Sequence, residues 1–175
     1  MIVLGIDPGK RGGLAVIAGP PFRILACADV PLDDDGVDVL KVIAFIQANP
    51  PDHSFMERVS AMPSIPDEAG IRRGMGATSA FNFGGAVWAL RTCVTGLMGK
   101  KPTLIQPVSW KKYYGLTSKD VDTGRKLEQR EVKEASRQVA LKMFREGDRF
   151  FPNIGHHNRA EASLIARFGA ALLSK

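Results

Sequence analysis

The sequence predicts an α/β domain built on five short strands. Three features predict it: three apolar runs separated by Gly/Pro breaks within the first 31 residues, two isolated apolar runs further on, and intervening segments whose apolar residues recur at helical spacing. A length of 175 residues with 45% hydrophobic content suffices for one buried core, so residues 1–175 are expected to form a single domain.

Taken in order, Ile2 to Ile6 and Leu14 to Ala18 flank the turn-forming stretch Asp7 to Gly13, which makes a hairpin. Ile24 to Val30, bounded by Pro21 and Pro31, adds a third strand and completes an antiparallel meander. After the polar turn at Asp33 to Gly36, the apolar residues Val37, Leu40, Val42, Ile43, Phe45 and Ile46 predict a helix that Asn49-Pro50-Pro51 ends. Ser54 to Arg58 reads as a short buried strand, and the Pro- and Gly-rich stretch 60–75, which carries Arg72 and Arg73, as a mobile loop. Phe83, Val87, Leu90, Val94 and Leu97 predict a long helix over 77–97. Its Gly84-Gly85-Ala86 patch leaves one side nearly bare, which fits close approach of a partner subunit or a loosely packed, kinked helix. Thr103 to Gln106 is the fifth strand, stopped by Pro107 and followed by a short helix at Ser109 to Lys112. A charged amphipathic helix over 127–145 and a final helix over 158–173 complete the chain.

Lys and Arg number 24 against 18 Asp and Glu, for a formal charge of +6, a balance that favours polyanionic partners. The surplus is local: residues 100–149 hold 13 basic and 7 acidic side chains, and the rest of the chain is neutral. Lys100, Lys101, Lys111, Lys112, Lys119, Arg125, Lys126, Arg130, Lys133 and Arg137, interleaved with Trp110, Tyr113 and Tyr114, suggest a surface that follows a nucleic-acid backbone. For any single lysine the alternative is an ordinary solvated helix face. No apolar run approaches the roughly 20 residues of a membrane span, and the chain opens directly on a strand-like segment, so a cytoplasmic protein is expected. Cys27 and Cys93 lack zinc spacing and read as buried thiols.

Three carboxylates interrupt apolar or small-residue surroundings. Asp7 ends the run IVLGI, Glu57 ends Ser54-Phe55-Met56, and Glu161 shares a helix side with Leu164, Ile165, Phe168 and Leu172. Asp7 also suits a turn before Pro-Gly, and Glu57 an ion pair with Arg58. Acids gathered at strand ends and joined by one from a helix suit Mg²⁺ or Mn²⁺, and two such ions can activate a water and stabilise the leaving oxygen of a phosphodiester.

On these residues the chain resembles the RuvC-type Holliday-junction resolvases, particularly the shorter versions found in phages. The resemblance runs through IDPGKRGGLAVI at 6–17, MERVSAMP at 56–63, FNFGGAVWAL at 81–90, QPVSWKKYYGL at 106–116, REVKEASRQVAL at 130–141 and NRAEASLIA at 158–166. It implies an RNase H-like fold, with a five-stranded mixed sheet of three antiparallel N-terminal strands plus two parallel ones, flanked by helices. It also implies a homodimer that nicks four-way DNA junctions symmetrically with Mg²⁺ or Mn²⁺, in a bacterial cytoplasm or in that of a phage's host.

Residue by residue, the resemblance makes Asp7, Glu57 and Glu161 the catalytic acids and Lys133 a basic residue flanking the scissile phosphate. Relatives carry a further Asp three or four residues before the last acid, where this chain has Asn158 and His157. His157, four residues before Glu161, is the favoured fourth metal ligand, because imidazole ligates where an amide is a poor substitute. The alternatives are a site of three acids, or an Asn158 that replaces an Asp. Arg72, Arg73, Lys111, Lys112, Lys119, Arg125, Lys126 and Arg130 are the expected DNA contacts. Met62, Ile65 and Met75 are candidates for a wedge at the branch point. Rival expectations are a broader RNase H-like nuclease acting on branched DNA or RNA, and a junction-binding protein whose metal site has degraded.

Overall fold

The computed structural model describes residues 1–9, 11–59, 76–119 and 123–174. Strand β1 (Ile2–Asp7) pairs antiparallel with β2 (Gly13–Ala18), and β2 pairs antiparallel with β3 (Arg23–Asp29). On the other side of β1, β4 (His53–Glu57) runs parallel to it, and β5 (Thr103–Ile105) runs parallel to β4. The sheet order is therefore β3-β2-β1-β4-β5, the mixed five-stranded arrangement expected.

Side chains alternate across this sheet, and the two faces bury different sets. Leu4, Ile6, Leu14, Val16 and Met56 pack on one face against α1 (Val39–Ala48) and α2 (Ala77–Met98). Val3, Ile17, Phe55 and Ile105 pack on the other against α3 (Pro107–Tyr113), α4 (Gln129–Met143) and α6 (His157–Leu173). A four-residue helix, α5 (Gly147–Phe150), and a 3₁₀ turn at Ile154–His156 link α4 to α6.

Helix α6 lies almost on the backbone of the sheet. Ala160, Ala162, Ala166 and Ala170 are fully buried in it, and Gly5 on β1 has no room for a side chain: a Cβ there would stand 2.0 Å from the Ala162 carbonyl oxygen. A Cβ on Gly13 would likewise meet the Asn158 carbonyl oxygen at 2.3 Å. These glycines set the distance at which α6 carries its own side chains past the ends of the strands.

Several boundaries differ from the sequence reading for identifiable reasons. Helix α1 begins at Val39, since Val37 bridges to Leu32 and the Asp38 carboxylate caps the helix by accepting from the Lys41 backbone N–H at 3.0 Å. Pro107 is the first residue of α3 as well as the stop of β5, a position where its missing N–H costs nothing. Helix α4 starts at Gln129 behind a capping box formed by Glu128 and Glu131. Cys93 is buried as expected, whereas Cys27 is only half-buried. The Cys27 thiol lies 3.6 Å from the Arg159 carbonyl oxygen, and desolvation pushes its pKa up to about 12. The expected 60–75 loop, with its wedge candidates Met62, Ile65 and Met75, lies outside the described residues. Among the described residues no helix is long and apolar enough to cross a membrane.

Candidate functional site

Register brings the first two acids together. Ile6 on β1 faces Met56 on β4, so Asp7 and Glu57, each one residue further along, end adjacent parallel strands at the same edge. Being odd-numbered along strands whose Val3 and Phe55 pack toward α6, both point to the α6 face of the sheet. Glu161 sits in the second turn of α6, and its charge acts on both strand carboxylates. The three acids expected from the sequence therefore act on one another at the C-terminal ends of β1 and β4.

Asp7 is half-buried there, and its carboxyl is pushed well above the ordinary carboxylate range. Desolvation is the largest cause, followed by the negative charges of Glu161 and then Glu57. The ammonium groups of Lys111 on α3 and Lys133 on α4 pull it back. Burial also raises the Glu57 carboxyl, opposed first by a hydrogen bond from Trp110 and then by Lys111. In that bond the Trp110 indole Nε1–H donates to Glu57 Oε2 at 2.7 Å.

The approach to Asp7 is fixed by a tight turn. The Gly12 backbone N–H donates to the Gly9 carbonyl at 3.0 Å, and a Cβ on Gly12 would stand 2.1 Å from the Asp7 carbonyl oxygen. The Asn158 side-chain amide donates to the Arg11 carbonyl oxygen, tying this turn to the start of α6. A carboxylate at position 158 has no N–H for that bond. His157 opens α6 one turn before Glu161, as expected for residues sharing a helix face. Its Nδ1 is 2.9 Å from the Ile154 carbonyl oxygen; a carbonyl only accepts, so this bond needs the proton on Nδ1, an arrangement that in the neutral ring leaves Nε2 as the metal-ligating nitrogen.

Among the described residues, no group of three or more His, Cys, Asp and Glu side chains forms a ready-made metal cage. The carboxylate oxygens of Asp7, Glu57 and Glu161 are nevertheless the donors a hard divalent cation takes, whereas the His157 imidazole is a softer donor, more usual on transition metals than on Mg²⁺. The mutual repulsion felt at Asp7 is what a bound cation relieves.

The basic residues divide into two groups. Lys111 and Lys133 are half-buried beside the acids, while Lys112 and Arg130 are exposed on α3 and α4. Lys119 and Lys126 are exposed and joined by an antiparallel bridge, and Arg125 is paired with Glu131 at 2.7 Å. Arg72 and Arg73 lie outside the described residues. Two expectations fail. Arg137 is buried on α4, its Nε donating to the Phe151 carbonyl at 2.8 Å and its Nη2 to the Pro152 carbonyl at 2.7 Å, so it braces the fold. Trp110 is fully buried and offers no stacking surface. Lys100 donates to the Asp52 carbonyl at 2.6 Å, just before β4; it and Lys101, which precedes β5, lie at the opposite edge of the sheet from Asp7. The Asn158 and Trp110 bonds were beyond the sequence reading, since each joins residues far apart in the chain.

No protein-family model and no curated protein matches the chain. Solved structures do. RuvC of Thermus thermophilus in complex with a Holliday junction substrate superposes with a TM-score of 0.62 at 18% identity, covering 98% of this chain and 96% of that one. A second structure of T. thermophilus RuvC gives a TM-score of 0.61 at 18% identity, with the same coverage of both chains. The Holliday junction resolvase of fowlpox virus gives 0.57 at 10% identity, over 99% of each chain. The chain thus has the RNase H-like α/β fold of these proteins.

Proposed function

We propose that this chain is a metal-dependent endonuclease that resolves four-way DNA junctions by symmetric nicking. The observation that supports it most is the parallel register that ends β1 and β4 side by side in Asp7 and Glu57, with the charges of Glu161, Lys111 and Lys133 acting on Asp7, on a fold shared with a RuvC solved on a Holliday junction substrate and with a viral Holliday junction resolvase.

Asp7, Glu57 and Glu161, with His157 as the fourth donor, would hold Mg²⁺ or Mn²⁺. Such an ion, when bound, supplies Lewis-acid activation of water and neutralises charge on the phosphate. The chain's own residues do the rest. The partial burial of Asp7 and Glu57 restricts bulk water around the reacting phosphate and strengthens each charge interaction in the site. Lys111 and Lys133 hold the scissile phosphate against the acids by attracting its anionic oxygens. Lys112, Lys119, Arg125, Lys126 and Arg130, with Arg72 and Arg73, contact neighbouring phosphates, which fixes the position of the duplex arms without reading their sequence.

Two symmetric cuts are most simply made by two sites related by a two-fold axis, so the proposed working unit is a homodimer. The exposed side of α2 is the proposed interface. Phe81 and Trp88 are 81% and 64% exposed there, and a Cβ on Gly84 or Gly85 would meet nothing within 4 Å. The test compares cleavage of a mobile four-way junction, a flap and an RNA duplex in Mg²⁺ and in Mn²⁺. Preferential, paired nicking of the junction is expected. Equal cutting of all three would indicate a broader nuclease, and tight junction binding with no nicking in either ion would indicate a binding protein.

A further inference from the structure

The chain has two tryptophans, and they sit in opposite settings: Trp88 is largely exposed, whereas Trp110 is fully enclosed in the core under α6. The one polar atom of the enclosed ring is aimed at the candidate site, where Nε1–H donates to Glu57 Oε2 at 2.7 Å. The Lys111 ammonium lies 5.2 Å from the centre of the same ring. Trp110 is fully buried in the core cluster, and close packing of that kind holds the indole in one orientation. The terminal torsion of a glutamate is otherwise broad, with its two oxygens exchanging readily.

We propose that Trp110 is a positioning residue: its indole N–H holds Oε2 of Glu57 and so leaves Oε1 as the oxygen that faces a divalent cation. The role rests on the nuclease assignment above and deepens it. Partners that orient a ligand in this way typically change metal affinity or activity about 10–100-fold when removed.

Trp110→Phe keeps an apolar ring and removes the donor. Incorporation of 3-benzothienylalanine at position 110 replaces N–H by sulfur at nearly constant volume, and decides the matter if the Phe variant does not fold. For either folded protein, Mn²⁺ affinity measured by calorimetry without DNA should fall about 10–100-fold. The kcat for junction nicking at fixed Mn²⁺ should fall in step and recover as Mn²⁺ is raised, while the junction Kd in EDTA stays within about twofold. Unchanged Mn²⁺ affinity and kcat in a folded variant would overturn the role. So would a parallel loss of junction binding and nicking that excess Mn²⁺ does not restore, because that pattern marks a structural tryptophan. A wild-type protein that neither binds Mn²⁺ nor nicks junctions would instead remove the nuclease assignment, and the positioning role with it.

Discussion

Asp7 is the residue on which the proposed chemistry is most exposed to test. Asp7→Asn conserves shape and removes charge, so nicking should fall by about 100-fold or more, the scale on which loss of a charge-stabilising group acts. Junction binding should be retained, because the basic side chains are untouched. The same substitution has a stability consequence of opposite sign. The folded-state pKa of Asp7 is raised above its ordinary value of 3.8, so between those two pH values the folded protein holds a proton that the unfolded chain has lost. Stability from this group is therefore present below the ordinary carboxylate pKa and is lost as pH rises through the folded one. Without divalent ions, Asp7→Asn should raise the urea midpoint at pH 7 relative to wild type, with the difference closing toward pH 3.5. A lower midpoint at pH 7 would mean that the Asp7 charge is stabilised in the fold. Asp7, Glu57 and Glu161 were legible in the sequence because each breaks an apolar or small-residue pattern. Trp110 was not: helical spacing beside four cationic or tyrosyl neighbours says nothing of a hydrogen-bond partner 53 residues away.

At the scale of elements, the close seating of α6 on β1 determines whether Glu161 meets the strand acids. Gly5→Ala would put a methyl group 2.0 Å from the Ala162 carbonyl oxygen and 2.6 Å from the Ala166 backbone nitrogen, so the helix must move. Overpacking of this kind costs roughly 1–3 kcal/mol or more, and nicking should drop beyond what the lost stability explains, since Glu161 is displaced from Asp7. Wild-type melting and cutting by Gly5→Ala would show that the helix has slack. Arg137 makes a second test. Arg137→Ala strands the Phe151 and Pro152 carbonyls, at a cost of roughly 2–3 kcal/mol, and a urea titration should register this, while the salt slope of DNA binding stays unchanged. Lys111→Ala with Lys112→Ala should do the reverse, weakening binding to all sequences and flattening the salt slope. Most of these elements were readable from periodicity and breakers. Helix α5 and the 3₁₀ turn were not, being too short to show a period, and the parallel pairing of β1 with β4 was not read from the residues, since apolar runs carry no record of pairing order.

For the whole molecule, the basic excess at 100–149 was legible as composition but not as one surface. Lys100 and Lys101 fall at one sheet edge and Lys111 and Lys133 at the other, because β5 carries the chain across between them. The proposed dimer places its interface on the bare side of α2. A Cβ at position 85 meets nothing within 4 Å in the protomer, so the fold should tolerate Gly85→Leu, while sedimentation should shift toward monomer and cuts become unpaired. A Gly85→Leu protein that remains dimeric would place the interface elsewhere. Nicking of a mobile four-way junction by the wild-type protein in Mg²⁺ and Mn²⁺, run beside Asp7→Asn, bears most directly on whether this edge of the sheet cuts DNA. Paired, symmetric nicks from the wild type and none from Asp7→Asn are the predicted result; an intact junction with wild type in both ions, or cutting by Asp7→Asn at the wild-type rate, would contradict it.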